Sequence, residues 1–209
     1  MPYPVGHRIA VREKIVESAR RLFNRHGFDN VSVQEIMSGA GLTHGGFYSY
    51  FPSKSALYTE VLECLVTDPE WKKQWKSVEV DLTSPQAAQV VRAYLSHQHF
   101  EDVDNSCPMV ALPGDVTRCG GEAKRAFEEL FATMVGVLER NVADDNLPRR
   151  AKAQAVAALC VGGMVVARAM KNRVVADELR DACMSIALDL GGWLDTTALE
   201  NGTSELIAQ

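Results

Sequence analysis

Apolar residues recur every three or four positions along most of this chain, and short breaks containing Gly or Pro separate the stretches. That spacing is typical of amphipathic helices, whereas the strict alternation of a β-strand is nearly absent. The first stretch predicts a helix from about Val11 to His26, with Ile15, Ala19 and Phe23 on one apolar face. Gly27 follows in the position where a left-handed residue commonly ends a helix. The pattern therefore predicts an all-α fold.

The segment from Ser32 to Phe51 predicts two short helices joined at a glycine. Ser32 and Glu35 have the spacing of a capping box, in which each side chain bonds the other residue's backbone amide. Gly41 supplies the tight turn, and Thr43 is the expected N-cap of the second short helix. A hairpin of this kind presents a helix narrow enough for the major groove of DNA.

Helical periodicity continues almost to the C-terminus and brings the predicted total to about nine helices. Pro52 and Ser53 break the chain after the hairpin. The remaining predicted helices cover approximately residues 54–66, 85–100, 107–112, 122–141, 148–171 and 175–194.

Charge is distributed unevenly along the chain, whose formal net charge is −5. Residues 1–54 hold seven Lys or Arg and four acidic residues, and the remainder holds 15 basic and 23 acidic residues. This asymmetry indicates one end that faces DNA and another that does not.

No signal peptide, membrane span or catalytic motif is recognisable in the sequence. The five cysteines are odd in number and scattered, without metal-finger or redox spacing. We therefore expect a cytoplasmic protein with free thiols that is not an enzyme, has no cofactor or metal, and does not contact a membrane.

A helix that enters a groove needs a short polar face, a rigid base and nearby donors for phosphate. Thr43, His44, Gly45 and Ser49 are predicted to form that face, and Phe47 is predicted to anchor the other side. The hydroxyls of Tyr48 and Tyr50, the Lys54 ammonium and the amides near Ser32 are the candidate phosphate donors. The same pattern also fits a tight helical hairpin packed inside any α-helical protein.

The N-terminal third resembles the TetR family of bacterial transcriptional repressors. The resemblance is carried by ARRLFNRHGFDNVSV, QEIMSGAGLT and FYSYFPSKSALYTEVL, and most specifically by the aromatic-x-x-Phe-x-x-Lys cadence that ends at Lys54. It implies a three-helix DNA-binding domain over residues 8–68, with the helix-turn-helix motif at 32–51. A helical effector-binding and dimerisation domain would follow over residues 69–209.

The resemblance also implies roles for individual residues. Thr43 to Ser49 would be the recognition helix, Tyr48, Tyr50 and Lys54 would grip the DNA backbone, and Ser32 with Gln34 would contact phosphate or flanking bases. The chain departs from the family pattern at His44, where Lys is frequent, and at Gly46, where Thr or Ser is frequent. Those departures concern the base contacts rather than the fold.

The expected protein is a repressor that dimerises on a palindromic operator and is released by a small, largely apolar effector. The last two long helices carry small and apolar residues suited to a four-helix bundle across a two-fold axis, although both could also pack within one subunit. The candidate effector contacts are Trp71, Trp75, Phe100, Cys107, Met109, Phe127, Phe131, Met134 and Met164.

Three alternatives stay open. Cys107 precedes Pro108 and is expected at a helix start, where a thiolate is favoured; a redox- or electrophile-sensing repressor is conceivable, with Cys119 as resolving partner. A helical protein that binds small molecules but not DNA belongs to a different class. An adaptor could use the hairpin against a partner helix.

Overall fold

The computed structural model describes residues 5–67, 84–143 and 147–194, and every regular element in these ranges is a helix. In the N-terminal part these are α1 (Val5–His26), α2 (Val33–Gly39), a 3₁₀ helix (His44–Ser49) and α3 (Lys54–Thr67). The remaining elements are α4 (Gln86–Leu95), α5 (His97–Glu101), α6 (Pro108–Ala111), α7 (Pro113–Arg118), α8 (Gly121–Glu139), α9 (Arg149–Arg168) and α10 (Arg173–Gly191). The all-α prediction is confirmed.

Two local differences explain why the described ranges contain eleven helices where about nine were expected. The stretch predicted as one helix over 85–100 divides at Ser96, whose extended backbone ends α4 and whose hydroxyl caps α5 by accepting from the His99 amide. Pro113 begins a separate six-residue helix where the sequence predicted only a break, because Pro is well suited to the first position of a helix.

The second half of the predicted helix-turn-helix is a 3₁₀ helix rather than an α-helix. Six residues that include Gly45 and Gly46 form few α-helical hydrogen bonds, and the tighter 3₁₀ geometry is common in pieces this short. The cap geometry of the preceding helix agrees with the sequence, since the Ser32–Glu35 capping box is present in full.

The apolar residues form two cores. One contains α4 together with the later helices, centred on residues such as Tyr94, Leu138 and Met164. The other joins α1, α2, the 3₁₀ helix and α3, and it also includes Leu112 and Ala126 from beyond the expected domain boundary. The N-terminal core is therefore completed by side chains from α8 and the residues before it.

Polar contacts tie the C-terminal end of α1 to the loop that follows α5. The Asn24 side chain donates to the Ser106 carbonyl at 2.8 Å, and the Arg25 guanidinium pairs with Asp104. The Phe28 amide donates to the Asp115 carboxylate at 2.7 Å. These contacts fix the orientation of α1 against the second part of the chain.

One described helix, α9, is long and apolar enough to meet the length and composition criterion for a membrane span. Core helices of globular proteins meet the same criterion, and 44% of the relevant stretch of α9 is buried within the chain.

Candidate nucleic-acid interface

The 3₁₀ helix is held from behind by a tight turn and an aromatic anchor. Gly41 adopts a left-handed φ of 72°, and the Leu42 amide closes the turn on the Met37 carbonyl at 2.8 Å. Phe47 is fully buried and stacks on Phe51 with ring centroids 5.8 Å apart. Phe47 was among the predicted DNA contacts, but its burial restricts it to positioning the helix.

The opposite side of the 3₁₀ helix faces solvent. Thr43, His44, Gly45 and Ser49 are exposed, and Tyr48 has 65% of its surface exposed. Thr43 occupies the predicted N-cap position, but its side chain makes no capping hydrogen bond. The predicted polar face is therefore present on one exposed surface, which we call the recognition face (Thr43, His44, Gly45, Tyr48 and Ser49).

The paired glycines of this helix have no packing requirement within the subunit. A Cβ atom on Gly45 would meet nothing within 4 Å, and one on Gly46 would meet only the Met37 methyl group at 3.7 Å. Neither residue has a positive φ, so backbone conformation does not demand glycine either. Neither packing nor backbone conformation within the described chain therefore requires glycine at these two positions.

Two arginines of α1, which the sequence analysis did not single out, bind the end of the recognition helix. Arg8 Nη2 donates to the Ser49 carbonyl at 2.8 Å, and Arg12 Nη1 donates to the Tyr50 carbonyl at 2.6 Å. Arg12 also forms an ion pair with Glu60 of α3. They satisfy carbonyls that a helix end leaves open. Arg8 and Arg12 are four residues apart and so lie on one face of α1, and this spacing is the feature of the sequence that could have indicated a shared role.

Lys54 is engaged within the chain instead of being directed at DNA. Its ammonium donates to the Phe28 and Val31 carbonyls at 2.8 and 2.9 Å and lies 4.2 Å from the centre of the Phe28 ring. In this geometry the charge of Lys54 holds the loop between α1 and α2, and a contact from Lys54 to phosphate stays a prediction. Tyr50 is only half-buried, and its ring lies 5.8 Å from the Arg8 guanidinium.

Ser32 is likewise committed to the capping box. Its amide and hydroxyl both donate to the Glu35 carboxylate at 2.7 Å, and the Ser32 hydroxyl accepts from the Glu35 amide at 3.2 Å. These hydrogen bonds to the charged form lower the pKa of Glu35. The Ser32 amide is thus not available to phosphate in this geometry. Gln34 is exposed beside it.

Residues 15–61 match the sequence model of the family described as bacterial regulatory proteins, tetR family. The chain is 33% identical over 101 residues to the uncharacterized HTH-type transcriptional regulator YerO of Bacillus subtilis, covering 48% of this chain and 34% of that protein. It is 26% identical over 113 residues to the HTH-type transcriptional repressor AcnR of Corynebacterium glutamicum, covering 44% of this chain and 60% of that protein.

Over residues 15–61, the chain therefore carries the sequence pattern of the tetR family. The crystal structure of reduced Escherichia coli NemR shares its fold, with a TM-score of 0.69 over 90% of this chain and 100% of that one, at 17% identity. The sequence matches span about a third of YerO, so they identify the N-terminal domain more firmly than the remainder. These relatives are described as transcriptional regulators, which agrees with the expectation that the chain is a regulator and not an enzyme.

Within the described residues, most of the predicted effector contacts are packed in a hydrophobic core. Trp71 and Trp75 lie outside the described residues. Most of the others lie in or against the core formed by α4 and the later helices, namely Met109, Phe127, Phe131, Met134 and Met164. Phe100 is also mostly buried, and it lines a cavity near the turn between α9 and α10.

Cys107 is the N-cap of α6, as the following proline predicted. The thiol is nevertheless buried, and burial raises its pKa instead of lowering it. A protonated, enclosed thiol reacts poorly with oxidants. Cys119, the suggested resolving partner, also has a raised pKa because of desolvation and nearby acidic residues. The geometry therefore does not favour the thiol-sensing alternative.

Proposed function

We propose that this chain is a transcriptional repressor that binds a palindromic DNA operator as a homodimer and releases it when a small effector binds. The observation that carries the proposal is the recognition face, an exposed polar surface on a glycine-containing helix whose other side is anchored in the core. We further propose that residues 8–68 form the DNA-binding domain, with the motif at 32–51, and that residues 69–209 bind effector and form the dimer.

Contacts with DNA are assigned to residues whose side chains are exposed. Thr43, His44 and Ser49 present hydrogen-bonding groups to base edges, while Tyr48 carries a hydroxyl suited to phosphate. Gln34, exposed at the start of α2, is placed to contact phosphate or flanking bases. Gly45 lets the backbone approach the groove without a side chain between them.

Dimerisation is assigned to the outer faces of α9 and α10. Val166 of α9 and Ile186 of α10 are 48% and 57% exposed in the single subunit, although both are large apolar residues. A Cβ atom on Gly162 would meet nothing within 4 Å, which leaves room for a second helix. Two such faces paired about a two-fold axis give a four-helix bundle and two recognition helices per particle.

The link between effector and DNA is assigned to α3 and α1, which both contact the second part of the chain. Leu57, Tyr58 and Leu62 of α3 are buried in the same core as Ala126 of α8. A displacement of α8 therefore moves α3 and, with it, the DNA-binding domain. An effector releases DNA only to the extent that it binds the displaced state better than the docked one.

The test begins with selection of bound fragments from the genome that encodes the chain, followed by gel-shift titration on the selected site. We expect binding to weaken steeply as salt rises, because phosphate contacts release counterions. Tyr48→Phe should weaken specific and non-specific DNA alike, whereas His44→Ala should change the preferred sequence. The exposed α8 variant Lys124→Gln serves as the control.

Two results would contradict the proposal. Recovery of no enriched fragment from a folded dimer would favour a helical protein that binds small molecules without DNA. A wild-type affinity for DNA that is unchanged by both recognition-face variants would show that another surface makes the contact.

A further inference from the structure

A cavity of about 440 Å³ lies where the end of α5 meets the turn between α9 and α10. Its size falls within the range of sites for small organic ligands. The side chains that matter for its chemistry are Phe100, Glu101, Val103, Arg168, Lys171 and Arg173. None of the predicted DNA contacts belongs to this set.

Arg168 brings a positive charge that no carboxylate neutralises directly. Its guanidinium donates to the Phe100 carbonyl at 3.2 Å, to the Ser106 hydroxyl at 2.7 Å and to the His99 carbonyl. All of these acceptors are neutral, and Arg168 forms no ion pair with an acid in the described parts of the chain. Burial disfavours this charge and lowers the pKa of Arg168. An anion in the cavity would offset that cost.

The cavity holds a net excess of positive charge. Glu101 pairs with Arg173 at 3.1 Å, so these two residues neutralise one another. Lys171 is exposed at the rim and forms no ion pair with any residue in the described ranges. Lys171 and Arg168 therefore remain as two cations without an ion pair in the described ranges, although Asp102 and Glu101 act on Arg168 from a longer distance.

The floor of the same cavity is apolar. The Phe100 ring is almost fully buried and has the Arg173 guanidinium 4.8 Å from its centre. Val103 is partly exposed on the adjoining loop and contributes an aliphatic wall. A ligand that matches both features has an acidic group for the cations and an apolar body for Phe100 and Val103.

We propose that this cavity binds a small organic acid, a carboxylate attached to an aromatic or aliphatic body, and that this acid is the effector of the repressor. The inference rests on the proposed function and deepens it. It also differs from the sequence-based expectation of a largely apolar effector held among core aromatic and methionine residues.

The wall of the cavity belongs to the loop that contacts the DNA-binding domain. Val103 immediately precedes Asp104, which pairs with Arg25 of α1. Ser106 accepts from Arg168 through its hydroxyl and from Asn24 of α1 through its carbonyl. A ligand that shifts Val103 or Arg168 therefore changes the contacts that the loop makes with α1. Such a ligand would bind two states of the repressor with different affinities.

The test uses two fluorescent probes with the same aromatic body, 8-anilinonaphthalene-1-sulfonate and the uncharged N-phenyl-1-naphthylamine. Wild-type protein without DNA should bind the sulfonate at least about tenfold more tightly than the neutral probe, a difference of ~1.4 kcal/mol. Benzoate should displace the bound sulfonate, and benzamide, which has nearly the same shape and no charge, should not.

Two variants address the site itself. Lys171→Gln removes a rim charge, and Val103→Trp fills the cavity from an exposed position; each should weaken binding of the sulfonate probe about tenfold or more. Lys124→Gln, which removes an exposed charge from α8, should leave it unchanged. Thermal unfolding of all three variants should match that of the wild type, so that a loss of binding is not a loss of fold.

The outcomes separate the site from the repressor function. Equal affinity for the two probes, or sulfonate binding indifferent to both Lys171→Gln and Val103→Trp, overturns the site even if the protein binds DNA. Binding as expected in a protein that ignores DNA supports the site and refutes the repressor. Benzoate should lower operator affinity in the wild type and not in Lys171→Gln; no change in the wild type overturns the effector role.

Discussion

Arg25 and Asp104 form a bidentate ion pair between the last turn of α1 and the loop after α5. Nε lies 2.8 Å from Oδ1, and Nη2 lies 2.7 Å from Oδ2. Both side chains are partly exposed, at 58% and 36%, so solvent screens the attraction. The pair therefore matters more for the orientation of α1 than for overall stability.

Arg25→Ala and Asp104→Ala should each lower the free energy of unfolding by no more than ~1 kcal/mol, as is usual for exposed pairs. Both should weaken the response of operator binding to effector, because α1 loses one of its contacts with the loop. Urea denaturation and gel shifts with and without effector measure the two effects. A double variant that behaves like either single one would confirm that they act as a pair.

Gly45→Ala separates a requirement of the fold from a requirement of DNA. Alanine fits the subunit, since its methyl group meets nothing within 4 Å, and it should raise stability by up to ~1 kcal/mol. The same methyl group would hold the backbone away from the groove, so operator affinity should fall about tenfold or more. Gly136→Ala on α8 has equally open surroundings and should leave DNA affinity unchanged. Equal effects of the two would refute this role.

Lys54 should behave as a structural residue. Lys54→Met leaves the Phe28 and Val31 carbonyls without their donor, and stability should fall by about 1–2 kcal/mol. DNA binding by the folded fraction should keep its sequence preference. Lys14→Met removes an exposed charge from α1 and should leave urea stability within ~0.5 kcal/mol of the wild type. If Lys54→Met retained full stability and lost all DNA binding, the result would support the predicted phosphate contact instead.

Local features of the site could be predicted from the sequence, and the distant ones could not. The Ser32–Glu35 capping box and the left-handed glycines at 27 and 41 involve neighbouring residues, so spacing alone identifies them. The bond from Arg12 to Glu60 spans 48 positions, and no periodicity connects those two residues.

The same distinction applies to Lys54 and to the effector contacts. The aromatic-x-x-Phe-x-x-Lys cadence identified the family, but it could not show that Lys54 turns back to carbonyls more than twenty residues earlier. The effector contacts stay a prediction, because apolar residues at helical spacing mark a core as readily as a pocket. The cavity at Phe100 depends on charges brought together from three separate elements.

Because His99 is buried in its neutral form, we expect the free energy of unfolding to fall in mild acid. Burial and, to a lesser extent, nearby Arg168 lower the pKa of His99 to about 4 against the opposing effects of the Tyr94 carbonyl and Asp102. The neutral ring accepts from the Ser106 hydroxyl and the Cys107 amide through Nε2. Because the unfolded chain binds a proton near pH 6.5 and the folded chain does not, this contribution is complete above pH 6.5 and declines below it.

Between pH 6.5 and 5 the expected loss is roughly 2 kcal/mol. Urea denaturation across that interval measures it, and His99→Gln should flatten the slope. If the variant does not fold, NMR titration of the wild-type ring provides a second measurement. A ring that protonates near pH 6.5 in the folded protein would contradict the assignment.

Ile186→Arg tests the proposed subunit contact. The side chain is 57% exposed in one subunit, so a charge there should cost the monomer fold little. Buried against a second copy, the same charge would lack a partner and should shift the protein to monomers in sedimentation velocity. Ile9→Arg is a matched control, since Ile9 is 55% exposed on α1. A dimer that survives Ile186→Arg and dissociates with Ile9→Arg would place the interface on the N-terminal domain, where it would compete with the recognition face for space.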